Sequence, residues 1–367
     1  MTARTSVVTL TSPVTLTPVL GFPEVRQGDD LVEFVLKALQ DNGIELDDGD
    51  ILVVSSKIAS KAMGLSAPLA ERDDMVLSHT VRVVAERMTP PGITSIVETV
   101  AGPVMAAAGV DASNTADDSI VLVLPDDPDA VAAEIRIGVR TGWVARSGNH
   151  LRLGVVLSDT AGRPWRIGQT DFALGAAGIQ VVDDLRGSTD ADGRLLRVTE
   201  RCIADEIAAA ADLVKGKAAG VPVAHIRGLG QYVHDGEPTS DAKTSGARDL
   251  VRTGPGDWFS LGQAEAVRAA LGVTPGSAEA TAVGIPSINA ETVAVKASRA
   301  LRVALLACPD ASGQVDGDTI RLTAPDDFTL GVVATRAEVA LRGEGLSSTL
   351  RADVGLTGRP SVLIVFQ

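Results

Sequence analysis

The chain has 367 residues, with 33 Lys and Arg against 47 Asp and Glu and a formal net charge of −14. That balance argues against a general nucleic-acid or anionic-membrane surface, because phosphate backbones and acidic lipids select basic patches; with 3% aromatic residues, a stacking platform for single strands is not expected either. Two cysteines, Cys202 and Cys308, make neither a disulfide framework nor a zinc cluster. No apolar run reaches the roughly 20 residues that span a bilayer, and no basic-then-apolar leader follows Met1, so the expectation is a cytoplasmic enzyme or binding protein of two or three domains.

Residues 1–17, loose in Thr, Ser, Val and Pro, read as a lead-in or an edge strand. Asp30 can cap a helix with Leu31, Val35, Ala38 and Leu39 at helical spacing, closed by Asn42-Gly43. Ile51–Val54 suits a buried strand that delivers Ser55–Lys61 to a loop. A helix is predicted over 75–88, a strand over Ile120–Leu124, and a helix from Asp127-Pro128, where an acceptor precedes proline at the first helical position. Val155–Leu157 is a further strand. Thr199–Val214 is the strongest helix, with Ile203, Ile207, Ala210 and Val214 in one stripe and Gly216 as its stop. Val221–Ile226 reads as a strand, and residues 231–257 as an exposed linker. Beyond it the patterns predict helices at 259–271, 290–300 and 328–342 and strands at 301–307, 318–323 and 361–366, a small separate α/β unit.

Polar residues gather where apolar strands end, the usual place for a site on an α/β scaffold. Asp111 and Asp159 supply carboxylates, Thr160 neutral oxygens, and Lys57, Lys61, Arg163 and Arg166 positive charge. Two carboxylates are a sufficient protein share for magnesium or manganese, which keep water and phosphate oxygens as their other ligands. Phosphate-binding glycine loops of the GxxxxGK[ST] and GxGxxG types are missing, as is a GxSxG elbow. The four histidines, His79, His150, His225 and His234, read as structural or surface residues. The acidic pairs Asp73-Asp74, Asp126-Asp127 and Asp183-Asp184 read as caps and turns.

Five ordered blocks make a recognisable set: GDILVVSSKIASK (49–61), AGVDASNT (108–115), LPDDPD (124–129), VVLSDTAGRPWRIGQTD (155–171) and ADEIAAAADLVKGK (204–217). Over about residues 18–230 the chain closely resembles the coenzyme F420 γ-glutamyl ligases, which attach L-glutamate to a deazaflavin coenzyme. The resemblance implies an α+β fold, a two-part mixed ligase core here followed by a small C-terminal α/β domain, and a homodimer that binds GTP near divalent metal. It implies GTP contacts at Phe22, Pro23, Glu24, Val25, Ser56, Lys61 and Asn114 and along Lys215, Gly216 and Lys217. It further implies that Asp111 and Asp159 hold one Mg2+ or Mn2+ ion and that Thr160 touches a second, with K+ as another candidate cofactor. The expected partners are GTP, L-glutamate and the coenzyme precursor, with neither nucleic acid nor membrane.

The chemistry agrees with that implication. Making an amide from a carboxylate needs activation, which GTP supplies by phosphorylating it before the glutamate amine displaces phosphate. Such a reaction asks for alignment and charge neutralisation rather than a nucleophilic side chain; Lys61 and Arg163 are the cations expected to meet developing charge. The pattern departs from the family at Lys217, where archaeal relatives often carry a metal-holding glutamine. It departs again after the linker, because residues 258–367 are short for the flavin-binding nitroreductase-like domain found in actinobacterial fusions, so no flavin is expected. Another carboxylate acceptor, and a nucleotide-binding homologue without turnover, are the alternatives.

Overall fold

The structure, a computed structural model, describes residues 13–89, 92–113, 115, 119–235, 246–254, 256–257, 262–274, 277–287, 290–353 and 359–367. It divides into two compact units, Met1–Val251 and Arg252–Gln367. The architecture is α+β.

In the first unit, β1 (Thr15–Pro18) leads to α1 (Leu31–Asp41). Asp30 caps α1 by accepting from the Val32 and Glu33 amides at 2.9 and 3.0 Å, the acceptor that the orphan donors of a first turn require. Then come β2 (Asp50–Ser55), α2 (Ser56–Ala62), β3 (Ser66–Pro68), α3 (Arg72–Ser78), β4 (Thr80–Thr89), β5 (Gly92–Thr99), β6 (Val104–Ala106) and β7 (Ile120–Leu122). The long α4 (Pro128–Ser147) precedes the hairpin of β8 (Leu153–Arg163) and β9 (Arg166–Ala177), followed by β10 (Val182–Asp184), β11 (Glu200–Cys202), α5 (Ile203–Lys215) and β12 (Val223–Arg227).

The central sheet runs β1-β12-β2-β8-β9, with β2 and β8 parallel and every other pair antiparallel. Ile51–Val54 are completely buried because the sheet is covered on both sides. Leu52 and Val54 pack with residues of α1 and α4, whereas Ile51 and Val53 pack with Ile203, Ile207 and Ala211 of α5. An uninterrupted apolar run is what a strand buried on both faces demands.

The helix expected over 75–88 is an error. α3 stops at Ser78, and Thr80, Val81, Val83 and Val84 enter β4 as the first strand of a β4-β5-β6 sheet, in keeping with the stiffness of β-branched side chains. Ser55–Lys61, expected as a loop, is mostly α2. Within 231–257, residues 236–245 and 255 lie outside the described residues, and the flanks are exposed only in part: Gln231, His234, Asp235, Arg248 and Asp249 face solvent, whereas Tyr232, Val233 and Ala247 are buried in the first unit. Asp129, in the first turn of α4, fastens the returning chain. Its carboxylate accepts from the amides of Ala176 and Ala247, both at 2.7 Å, and of Arg248 at 3.0 Å.

In the second unit α6 (Gly262–Ala270), α7 (Ala278–Val283), α8 (Val293–Leu305) and α9 (Asp327–Gly343) accompany β13 (Ser312–Asp316), β14 (Thr319–Thr323), β15 (Ser348–Ala352) and β16 (Ser361–Phe366), ordered β13-β14-β16-β15. Residues 301–307, expected as a strand, instead carry α8 to Leu305, and the buried Ala297, Ala300, Leu301 and Ala304 recur at helical spacing. The buried Arg299 of α8 pairs with both Glu291 and Glu344. Among the described residues no helix is long and apolar enough to cross a membrane.

Candidate active-site cleft

The topology of the first unit brings several chain segments to one place. β2 and β8 are parallel, with Ser55 opposite Ser158, so both deliver their carboxyl ends to the same edge of the sheet. β12 runs the other way, which puts its entry loop at that edge, and β1 leaves it toward Phe22. A crevice beyond the carboxyl ends of parallel strands is where open α/β sheets bind ligands. Here it is a cleft of about 380 Å³ lined by Phe22–Val25, by Lys57 and Lys61 of α2, by Ser158–Thr160 of β8, and by Lys215–Lys217 at the end of α5.

Two cation–carboxylate pairs organise it. Lys57 Nζ donates to the Asp111 carboxylate and, at 2.5 and 3.2 Å, to Ser113 Oγ and the Ser113 carbonyl. The Asp111 backbone is pinned to Leu122 in both directions, at 3.1 and 2.8 Å. Burial works to raise the Asp111 pKa, but hydrogen bonds from Lys57 and Ser113 outweigh it and hold the carboxyl below its usual range. The second pair is sealed. Lys215 Nζ donates to Asp171 Oδ2 and to Ser158 Oγ, each at 2.7 Å, while Ser158 and Thr160 hydroxyls also donate to Asp171 at 2.9 and 2.6 Å. The side chains of Lys215 and Asp171 are only 5% and 4% exposed.

Between them sits Asp159, whose setting is different. Burial pushes its pKa up to about 6, and nearby Asp171 and Asp111 add to the rise against the Thr160 amide and the charge of Lys57. A carboxylate raised this way is stabilised by an added cation. Among the described residues no group of three or more His, Cys, Asp or Glu is arranged to hold a metal ion. The oxygen donors Asp111, Asp159 and Thr160 nevertheless fit a hard divalent ion that takes its remaining ligands from phosphate and water. The charges of Lys57 and Asp111 both act on Asp159, Lys57 lowering and Asp111 raising its pKa, although Asp111 itself is not among the residues that line the cleft.

Of the expected site residues, Phe22, Pro23, Glu24, Val25, Lys61, Asp159, Thr160, Lys215, Gly216 and Lys217 line the cleft, with Lys61 paired to Glu24. Ser56 lies behind it, fully buried, with an Oγ that has no partner among the described residues. Asn114 lies outside the described residues. Arg163, expected to meet developing charge, is exposed at the β8–β9 turn and is not part of the lining. Lys215 is engaged by Asp171, so its ammonium is a fixture of the cleft wall.

Asp171 and Asp212 were not singled out from sequence, although both line the cleft. Asp171 was hidden by an irregularity: counting back around the Pro164-Trp165 turn would pair Thr160 with Gln169, and the register shift between Gly162 and Arg163 brings Asp171 opposite Thr160 instead. The histidines stay apart from this chemistry; His225 is buried against Asp50 at the other end of β2. Cys202 is half-buried, with its thiol pushed up to about 12 by burial, and Cys308 is buried.

Residues 20–228 match the family model described as F420-0:gamma-glutamyl ligase. Three similar proteins are named Coenzyme F420:L-glutamate ligase. That of Halorubrum lacusprofundi is 34% identical over 259 residues, 65% of this chain and 96% of the relative. That of Halobacterium salinarum is 35% identical over 259 residues, 65% and 95% respectively. That of Methanothermobacter thermautotrophicus is 38% identical over 231 residues, 59% and 89% respectively.

Proposed function

The chain belongs to the F420-0:gamma-glutamyl ligase family, and from that premise we propose that it joins L-glutamate to the coenzyme F420 precursor in an amide bond, with GTP activating the acceptor carboxylate as an acyl phosphate. The observation that carries the reading is a cleft that gathers Asp159, Lys57, Lys61 and Lys217 from chain segments far apart, with Asp111 held to it through its pair with Lys57. A phosphoryl transfer of this kind needs positioned charge more than covalent participation by the protein.

Asp111, Asp159 and Thr160 are the residues that would hold a divalent ion, Mg2+ or Mn2+, which when bound supplies neutralisation of phosphate charge. Lys57 and Lys61 lie where they can donate to phosphate oxygens, each exchanging a carboxylate partner for the nucleotide. Phe22–Val25 and the Gly216–Pro222 loop close the cleft around the nucleotide. The acceptor oxygen attacks the γ-phosphorus and GDP leaves; the glutamate nitrogen then attacks the acyl carbon and inorganic phosphate leaves, with the amine proton lost to solvent. Lys217 adds charge at the rim where a glutamine would add only a dipole.

Mass spectrometry of the acceptor after incubation with GTP, L-glutamate and Mn2+ tests the proposal. A glutamyl mass increment that requires all three supports it. An unmodified acceptor, or an increment equally well driven by ATP alone, counts against it. An exchange of partners with another acceptor would be seen as an increment on that acceptor only.

A further inference from the structure

The β8–β9 hairpin starts inside the cleft and runs out of it. Asp159, Thr160 and Asp171 form its foot. At roughly 3.3 Å per residue, the five steps from Thr160 to Trp165 carry its tip about 16 Å away. Three costly features meet at that tip. Trp165 is 84% exposed and Ile167 fully exposed, leaving large apolar surface in water. Trp165 also has φ +55°, a left-handed backbone that is strained for a bulky residue and that hairpin turns normally give to Gly or Asn. Arg163 and Arg166 face each other in the strand register, a like-charge pair that disfavours the hairpin, and among the described residues neither forms an ion pair. Strain, exposed indole and unneutralised charge at one spot point to a ligand that relieves them.

We infer that this tip reads the acceptor. The indole of Trp165 stacks on a planar heteroaromatic ring, Arg163 and Arg166 take an anionic group on the same molecule, and the end to be extended reaches the foot of the hairpin. The inference rests on the ligase reading above and deepens it by assigning acceptor recognition to the arm, apart from the nucleotide. An arm rooted in the cleft favours a small molecule spanning foot to tip over a separate protein surface.

The test uses the full chain, with Trp165→Ala, Trp165→Phe and Arg163→Gln/Arg166→Gln variants. Removing one stacking contact is expected to raise KM for the coenzyme F420 precursor about tenfold in Trp165→Ala, with kcat and the KM values for GTP and L-glutamate within about twofold, and Trp165→Phe recovers most of the loss. Titration with coenzyme F420, corrected for its absorption, quenches tryptophan emission in the wild type and much less in Trp165→Phe, which retains Trp143 and Trp258. An unchanged acceptor KM, an equal loss for all three substrates, or a quench that survives in Trp165→Phe overturns the assignment. So does a shift in oligomeric state by light scattering with acceptor KM preserved, which would make the tip a subunit contact. Because the quench needs no turnover, it tests the tip even if wild-type protein adds no glutamate, a result that would instead count against the ligase reading.

Discussion

At the carboxyl end of β8 the Asp159 carboxyl has its pKa pushed up to about 6 by burial, whereas at the amino end of β2 the buried Asp50 is held below its ordinary 3.8 although burial pulls the other way. The difference lies in partners. Asp50 accepts from His225 Nε2 at 2.7 Å and from Arg227 Nε and Nη2 at 3.0 and 2.7 Å, while Asp159 has a backbone amide and the charge of Lys57 set against burial and two neighbouring carboxylates. One end of the sheet is electrostatically complete; the other awaits charge. Within the cleft the same contrast separates the sealed Lys215–Asp171 pair from Lys57–Asp111, where the Asp111 side chain is 42% exposed.

Replacing the incomplete carboxylate should have the largest consequence. Asp159→Asn is expected to lower glutamate-dependent GDP release by more than about 100-fold, the scale of losing a preorganised electrostatic contact, while circular dichroism is preserved and the melting temperature stays level or rises. A variant that unfolds would place Asp159 among the structural charges. Next comes the sealed pair: Lys215→Met leaves Asp171 buried without its counter-ion and should destabilise the fold by about 3–5 kcal/mol, read by urea denaturation. The double variant Lys215→Met/Asp171→Leu should recover much of that loss. If the single variant is as stable as the wild type, the contrast between the two pairs disappears.

A smaller effect is expected from Asp50→Asn, about 1.5–3 kcal/mol, the scale of hydrogen bonds to charged groups, with glutamate-dependent turnover retained in the folded protein. The smallest concerns pH. Because the folded-state pKa of Asp50 is depressed, its stabilisation is present above the unfolded value and is lost as pH falls below about 3.8. Denaturation curves of wild type and Asp50→Asn should therefore draw together on acidification and separate again near neutrality. Curves that stay parallel across that range would remove Asp50 from the account.

Ile51–Val54 and Val155–Leu157 were legible in the sequence because burial on both faces leaves an unbroken apolar run, and α5 because burial of one side leaves a stripe at helical spacing. The Asp30 and Asp127 caps were legible for a similar reason, since their acceptors act within three residues. Residues 80–88 misled because apolar β-branched positions interleaved with charged ones fit a helical stripe as readily as a strand, and only pairing with β5 decides. At 301–307 the opposite happened, an apolar run that belongs to a helix packed on α9. In the site, Asp111 and Asp159 could be named from their blocks, but the burial of Lys215 could not. Its partner Asp171 is 44 positions away, and nothing near Lys215 in the chain distinguishes a sealed ammonium from an open one.

The grip of Asp129 on Ala247 and Arg248 bears on how the chain can be shortened. A truncation after residue 235, where the turn-rich composition invites a cut, would strip two donors from that carboxylate and remove the buried Ala247 plug. A stop placed beyond Val251 keeps both, and is where an independently folding ligase half should end.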